Sequence, residues 1–161
     1  MKTTTITFIC TGNICRSAAA EAILTRMLHH AGITGVLVNS FGTADVGVQP
    51  RDGVMTQVAM KRGYLMEGQS TQATEKLLAL SDLILCMSYE HVIAVKSLIP
   101  SDRWDSIKLF NAYCFSGNEM LRDRNVEDPS FQSEYVYTQC FLHLERGCRF
   151  IVDHLKYFYG V

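Results

Sequence analysis

Cys10 and Arg16 are separated by five residues in the segment Cys10-Thr11-Gly12-Asn13-Ile14-Cys15-Arg16-Ser17. Those residue types at that spacing can hold an anion and attack it. A loop of this length can curl until successive backbone N–H groups, here of Thr11, Gly12, Asn13, Ile14 and Cys15, converge on one point. A helix starting at the end of the loop adds its own unsatisfied N–H groups and the positive end of its dipole. Arg16 then offers a planar fork to two phosphate oxygens, which lysine could not reproduce. The same field favours the thiolate of Cys10, a nucleophile suited to in-line attack on phosphorus. Donors that hold the substrate oxygens also stabilise transition-state charge, so the scheme calls for no metal and no organic cofactor. Asn13 tolerates left-handed backbone, and Ser17 is placed either to cap the helix or to donate to the thiolate. A bare C-x5-R match is common by chance. The Gly and Asn inside it, the strand before it and the helix after it set this one apart.

The elements that must position this loop can be read from the pattern. Thr4–Cys10 alternates and is rich in β-branched residues, as a strand requires. From Ser17, apolar residues Ala20, Ile23, Leu24, Met27 and Leu28 recur at helical spacing, and Gly32 lies where a C-terminal cap stops a helix. Val36–Phe41 reads as a second strand, Pro50 as the opening of a helix ending near Gly63, and Thr74–Leu80 as a shorter helix. The continuous apolar run Asp82–Met87 suits a strand covered on both faces. His91–Leu98 is helical, Ser106–Phe110 is a fourth strand, Ser116–Glu127 is looped, and Ser133–Tyr157 is a long helix. Its apolar face carries Val136, Cys140, Leu144, Cys148, Ile151 and Leu155. Strands alternating with helices predict an α/β fold in one domain over 1–161: a four-stranded, twisted parallel sheet with helices on both faces. Ligands in such folds sit at the carboxyl ends of the strands, where the Cys10 loop falls.

Composition narrows the field. The 161 residues carry a formal net charge of −1, which argues against a dedicated nucleic-acid binder. No apolar run approaches the length of a membrane span, and no signal-peptide pattern opens the chain. Of the six cysteines, Cys86, Cys140 and Cys148 fall at positions of small buried hydrophobes, and no CxxC pair or zinc-type spacing occurs. A reducing, cytoplasmic location is expected.

The signature Cys10-Thr11-Gly12-Asn13-Ile14-Cys15-Arg16-Ser17-Ala18 resembles the C-x-G-N-x-C-R-S-P motif of the low-molecular-weight protein tyrosine phosphatases. Ser40-Phe41-Gly42-Thr43 is similar to that family's S-A-G-T segment, Asp82–Met87 to its D-x-I-L-x-M strand, and Asp128-Pro129 to its late D-P motif. The resemblance covers nearly the whole chain. It implies hydrolysis of phosphotyrosine in a phosphorylated protein through a phosphocysteine intermediate, releasing inorganic phosphate, by a monomer or weak dimer. It also implies that Asp128 protonates the leaving oxygen and then activates water, with a pKa raised by neighbouring negative charge. Read alone, Asp-Pro is an ordinary turn. The resemblance further implies that Cys15 can form a protective disulfide with the nucleophile; simple packing remains the alternative reading.

Departures from the motif bear on substrate choice. Ala18 replaces proline, Ala44 to Gly47 lack the aromatic that commonly lines the pocket, and Asp128-Pro129-Ser130-Phe131 leaves Phe131 to provide an aromatic wall. Gly68 and Thr71 stand for a usual histidine and arginine, and Ser88 for an aspartate, so the support of the loop is expected to be rearranged around Ser40. Thr11 is the residue found in the related protein arginine phosphatases, as is the character of Ser70–Leu78, whereas Met60-Lys61-Arg62 and Ile84–Met87 look tyrosine-directed. Phosphotyrosine is favoured and phosphoarginine is the alternative. Three further readings are weaker. An arsenate reductase would need redox cysteines soon after the third strand. A phosphoprotein-binding module without turnover would have lost the cysteine, arginine or acid. A regulatory partner protein would use exposed aromatics near Tyr135, Tyr137, Tyr157 and Tyr159.

Overall fold

The computed structural model describes residues 2–159, with side chains through Tyr157. Strand β1 (Thr4–Cys10) occupies the centre of the sheet because its side chains are buried on both faces. Ile6, Phe8 and Cys10 belong to one apolar cluster and Ile9 to the other. Beside it lie β2 (Val36–Gly42) and β3 (Leu83–Cys86), with β4 (Ile107–Leu109) beyond β3. The order is β2-β1-β3-β4 and every pairing is parallel, the four-stranded parallel α/β sheet that the alternation predicts. Cys10 pairs with Gly42 at the last position of the β1–β2 register, which places the anion loop at the carboxyl edge.

Helix α1 (Arg16–His30) leaves β1 through the Cys10 loop and stops where Gly32 adopts φ 66, a left-handed conformation that glycine takes without steric cost. Helix α2 (Gly53–Lys61) begins three residues later than Pro50 suggests. The Asp52 carboxylate accepts from the Met55 amide and caps it, while Pro50 bridges to Gln69. Helix α3 (Glu75–Leu78), capped by Thr74, is shorter than expected. Helix α4 (Tyr89–Leu98) starts two residues before His91 because Ser88 and His91 form a reciprocal capping box. Phe110, expected in the fourth strand, instead opens α5 (Phe110–Cys114), a helix too short to show periodicity.

The long C-terminal helix α6 (Glu134–Tyr159) buries Cys140, Phe141, Leu144, Cys148 and Ile151 in the cluster that also holds Ile23, Leu24 and Phe8. Val136 and Leu155 are only half-buried. Tyr135 and Tyr157 are exposed, but Tyr137 is buried, with its hydroxyl donating to Asp52 at 3.1 Å. The Tyr159 side chain lies outside the described ones. No helix among the described residues is long and apolar enough to cross a membrane.

Contact between α6 and α5 depends on Gly147. A Cβ there would stand 2.6 Å from Cε1 of Phe110 and 3.3 Å from Cβ of Cys114, closer than side chains pack. Gly147→Ala is therefore expected to destabilise the protein by about 1–3 kcal/mol through overpacking, read as a lower urea midpoint with an unchanged slope.

Candidate active site

The loop between β1 and α1 turns on Asn13, whose φ is 57. Left-handed backbone costs a non-glycine residue about 1–2 kcal/mol, and here the side chain supplies the compensation. Asn13 is fully buried. Its Nδ2 donates to Ser17 Oγ at 3.0 Å and to Ser40 Oγ at 2.8 Å, and its Oδ1 accepts from the Thr71 amide at 2.9 Å. Arg51 donates to both the Asn13 carbonyl and Oδ1. The carbonyls of Cys10, Thr11 and Ile14 face outward and accept from the amides of Thr43, Ala44 and Asp52. The amides from Gly12 to Cys15 donate to no backbone carbonyl among the described residues, and no side chain caps α1. An anion in the curl therefore meets free donors.

Close approach of the strands shapes the curl. A Cβ on Gly42 would lie 2.7 Å from the Thr11 carbonyl oxygen and 3.0 Å from the Asn13 nitrogen, so only glycine lets β2 pass beneath the loop.

Cys10 lies at the floor, with Sγ 2.9 Å from Ser17 Oγ. Because Ser17 Oγ accepts from Asn13, its own proton is free for the sulfur. Of the two uses foreseen for Ser17, capping is not made, and the contact with Cys10 leaves it placed to donate to a thiolate. Arg16 is buried, and its Nη1 donates to the Val126 carbonyl at 2.9 Å. Its Nη2 lies 3.7 Å from Oδ2 of the half-exposed Asp128. Nucleophile, guanidinium and carboxyl thus converge from one loop and one distant segment.

The Asp128 carboxyl differs from the raised value expected. Burial, the largest influence, pushes its pKa up. The Ser130 hydroxyl and amide, both donating to Oδ1, act with Arg16 and His91 to hold it below the usual carboxylate range. Asp128 is therefore ionised at neutral pH, and a dianionic phosphate close by would raise its pKa.

Cys15 is buried under the loop, and burial, followed by Cys140, Asp52, Cys10 and Asp128, pushes its thiol far above the ordinary range. Phe131, at φ 65, is wholly exposed and touches no wall of the loop by itself.

Three supporting residues escaped the sequence reading. Arg51 also donates to the Glu67 carbonyl and lies 3.8 Å from Glu21. Glu21 accepts from Ser40, with burial raising its pKa against the Ser40 bond and Arg51. Together with Ser40 they support the loop from its inner side. His91, the third, bonds Ser88 and Thr11. The only signals for Arg51 and Glu21 are a lone charge in the first turn after Pro50 and an acid on the inner side of α1, both ordinary in surface helices.

A thiol at the base of an amide-lined loop, with its arginine and a carboxyl brought in from far along the chain, defines a cysteine-dependent phosphatase site. Comparison with known proteins narrows the class. The model of the low molecular weight phosphotyrosine protein phosphatases matches residues 5–157, and the chain belongs to that family. It is 31% identical to the low molecular weight protein-tyrosine-phosphatase Etp of Escherichia coli K12, over 91% of both chains. The tyrosine phosphatase Wzb of Escherichia coli K30, solved with sulphate, superposes with a TM-score of 0.79 at 28% identity, covering 94% of this chain and 97% of that one. The arginine phosphatase YwlE, of Bacillus subtilis, superposes at 0.83 with 26% identity, covering 94% and 95%.

The buried His91 and the half-buried His143 make stability depend on pH. Burial, then the charge of Arg16, pushes His91 down to about 4 against a small opposing pull from Asp128. Burial, then Arg146, does the same to His143. Between about 4 and the ordinary 6.5 the unfolded chain binds these protons and the folded chain does not. Stability present above 6.5 is therefore lost as pH falls through that window. Urea unfolding at pH 7 and pH 5 is expected to show the fall, and His143→Gln to make it smaller.

Proposed function

We propose that this protein hydrolyses phosphotyrosine in protein substrates through a phosphocysteine intermediate. The observation that carries the reading is the convergence of Cys10, its Ser17 donor, Arg16 and Asp128 on one curl of free amides. The Cys10 thiolate attacks phosphorus and a P–S bond forms as the P–O bond breaks. Asp128, protonated in the substrate complex, gives its proton to the departing phenolate. The same carboxylate then takes a proton from water, whose oxygen attacks phosphorus, breaks the P–S bond and releases inorganic phosphate. Arg16 and the amides of Thr11, Gly12, Asn13, Ile14 and Cys15 hold the equatorial oxygens throughout, where charge accumulates. Phe131, three residues after Asp128, is the aromatic we assign to the substrate ring.

Phosphoarginine is the second reading, favoured by Thr11 and by the likeness to an arginine phosphatase. The six free, buried thiols suit a reducing cytoplasm, and a monomer or weak dimer is the assembly proposed.

Kinetics on phosphotyrosine and phosphoarginine peptides test this. Cys10→Ser should abolish turnover on both, and the substrate with the higher kcat/KM assigns the preference. Asp128→Asn should lower kcat/KM for phosphotyrosine about 10²–10⁴-fold, and much less for an aryl phosphate whose leaving group needs no proton. An equal loss on both leaving groups would remove Asp128 as the acid.

A further inference from the structure

His91 joins two segments that share no strand pairing: the loop after β3, which it caps, and the phosphate loop. Its ring is buried, and the direction of each bond follows from its partners. The Ser88 backbone amide lies 3.0 Å from Nδ1, and an amide N–H can only donate. Nδ1 therefore carries the lone pair. Ser88 Oγ also lies 3.0 Å from Nδ1. A neutral imidazole accepting at Nδ1 bears its proton on Nε2, and Nε2 lies 2.9 Å from Thr11 Oγ1. The imidazole must donate and the threonine must accept.

That settles the state of the hydroxyl next to the nucleophile. One lone pair of Thr11 Oγ1 is taken by His91, and its proton has no acceptor among the described residues. Thr11 immediately follows Cys10 and is exposed. A threonine rotor without a partner would spread its proton over three staggered positions, and an alkyl side chain would offer no proton at all. Protonating His91 would put a second proton against the Ser88 amide, which agrees with its depressed pKa. The other charged groups facing the ring are Arg16 and Asp128. The imidazole is thus neutral at pH 7, with its proton on Nε2.

Resting on the phosphatase reading above, we propose that His91 is a positioning residue: by donating Nε2–H to Thr11, it commits the Thr11 hydroxyl proton to the phosphoryl group held in the Cys10–Ser17 loop. The bond forms no part of the chemistry itself. It fixes one further donor in advance, and a donor already in place avoids the reorganisation that a free hydroxyl would need.

Two variants separate this role from helix capping. His91→Asn keeps an acceptor near the Nδ1 position for Ser88 but cannot reach Thr11. His91→Gln places an amide N–H near the Nε2 position. The expected result is a five- to tenfold lower kcat/KM for His91→Asn, the scale of one hydrogen bond, and a value within about twofold of wild type for His91→Gln. Thr11→Val should match His91→Asn, and adding His91→Asn to Thr11→Val should cost nothing more. A purely structural His91 reverses the order, sparing Asn and harming Gln. That result, or an undiminished loss in the Thr11→Val background, overturns the proposal. Affinity for inorganic phosphate, measured on the same variants, should follow the same order without turnover. Long-range proton–nitrogen correlation spectra of the wild-type protein at pH 7 should place the His91 proton on Nε2, and a proton on Nδ1 overturns the proposal even if the variants fail to fold. A wild-type protein inactive on both phosphopeptides defeats the phosphatase reading alone, since the tautomer and phosphate measurements still decide the role of His91.

Discussion

The left-handed turn at Asn13 is the constraint on which the site depends. Without it the chain would run from β1 into α1 with its amides pointing along the strand rather than into a common centre. The turn persists because a fully buried amide side chain bonds Ser17, Ser40 and the Thr71 backbone, each bond contributing about 1 kcal/mol and each costly to leave unmade. The same side chain orders Ser17, and through it the Cys10 sulfur. A backbone strain of modest size is thus held in place by contacts with β2 and the chain beyond it, and the nucleophile inherits the order.

Charge is arranged around that turn in two layers. On the inner side, the half-buried Arg51 and Glu21 lie against the loop and near each other, so neither is left as a lone charge in a poorly solvated place. On the outer side, Arg16 reaches to the Val126 carbonyl and towards Asp128, and the Val126 amide in turn donates to the Met87 carbonyl at 2.7 Å. The segment bearing the acid is therefore tied both to the end of β3 and to the guanidinium. Ser130 and Arg16 favour the carboxylate form of Asp128. In the proposed reaction a bound phosphate adds negative charge beside Asp128, which moves its carboxyl towards the protonated state that the first step uses.

Much of the fold was legible because its periods are strong. All four strands and the long helices fall where alternation and helical spacing place them. The differences lie at boundaries decided by single contacts. Asp52 captures the Met55 amide and moves the start of α2, the Ser88–His91 box moves the start of α4, and α5 has too few residues to show a period. In the site, Cys10, Arg16, Asn13 and Ser17 were readable because they are neighbours in sequence, and local spacing carries the anion-binding logic. Asp128 was readable only through resemblance, since an isolated Asp-Pro says nothing of its distance to Arg16.

The sequence by itself determined the chemistry of the loop, because cysteine, arginine and a turn-tolerant asparagine within one short segment admit few other uses between a strand and a helix. Tertiary structure alone decided what supports and tunes that loop. Arg51, Glu21, Ser40, Thr71 and His91 reach it from five separate stretches of chain, and hydrogen bonds depend on distance in space, of which separation along the chain keeps no record. The direction of the Asp128 shift and the tautomer of His91 belong to the same category, for each is set by which donors and charges the fold happens to bring within a few ångströms.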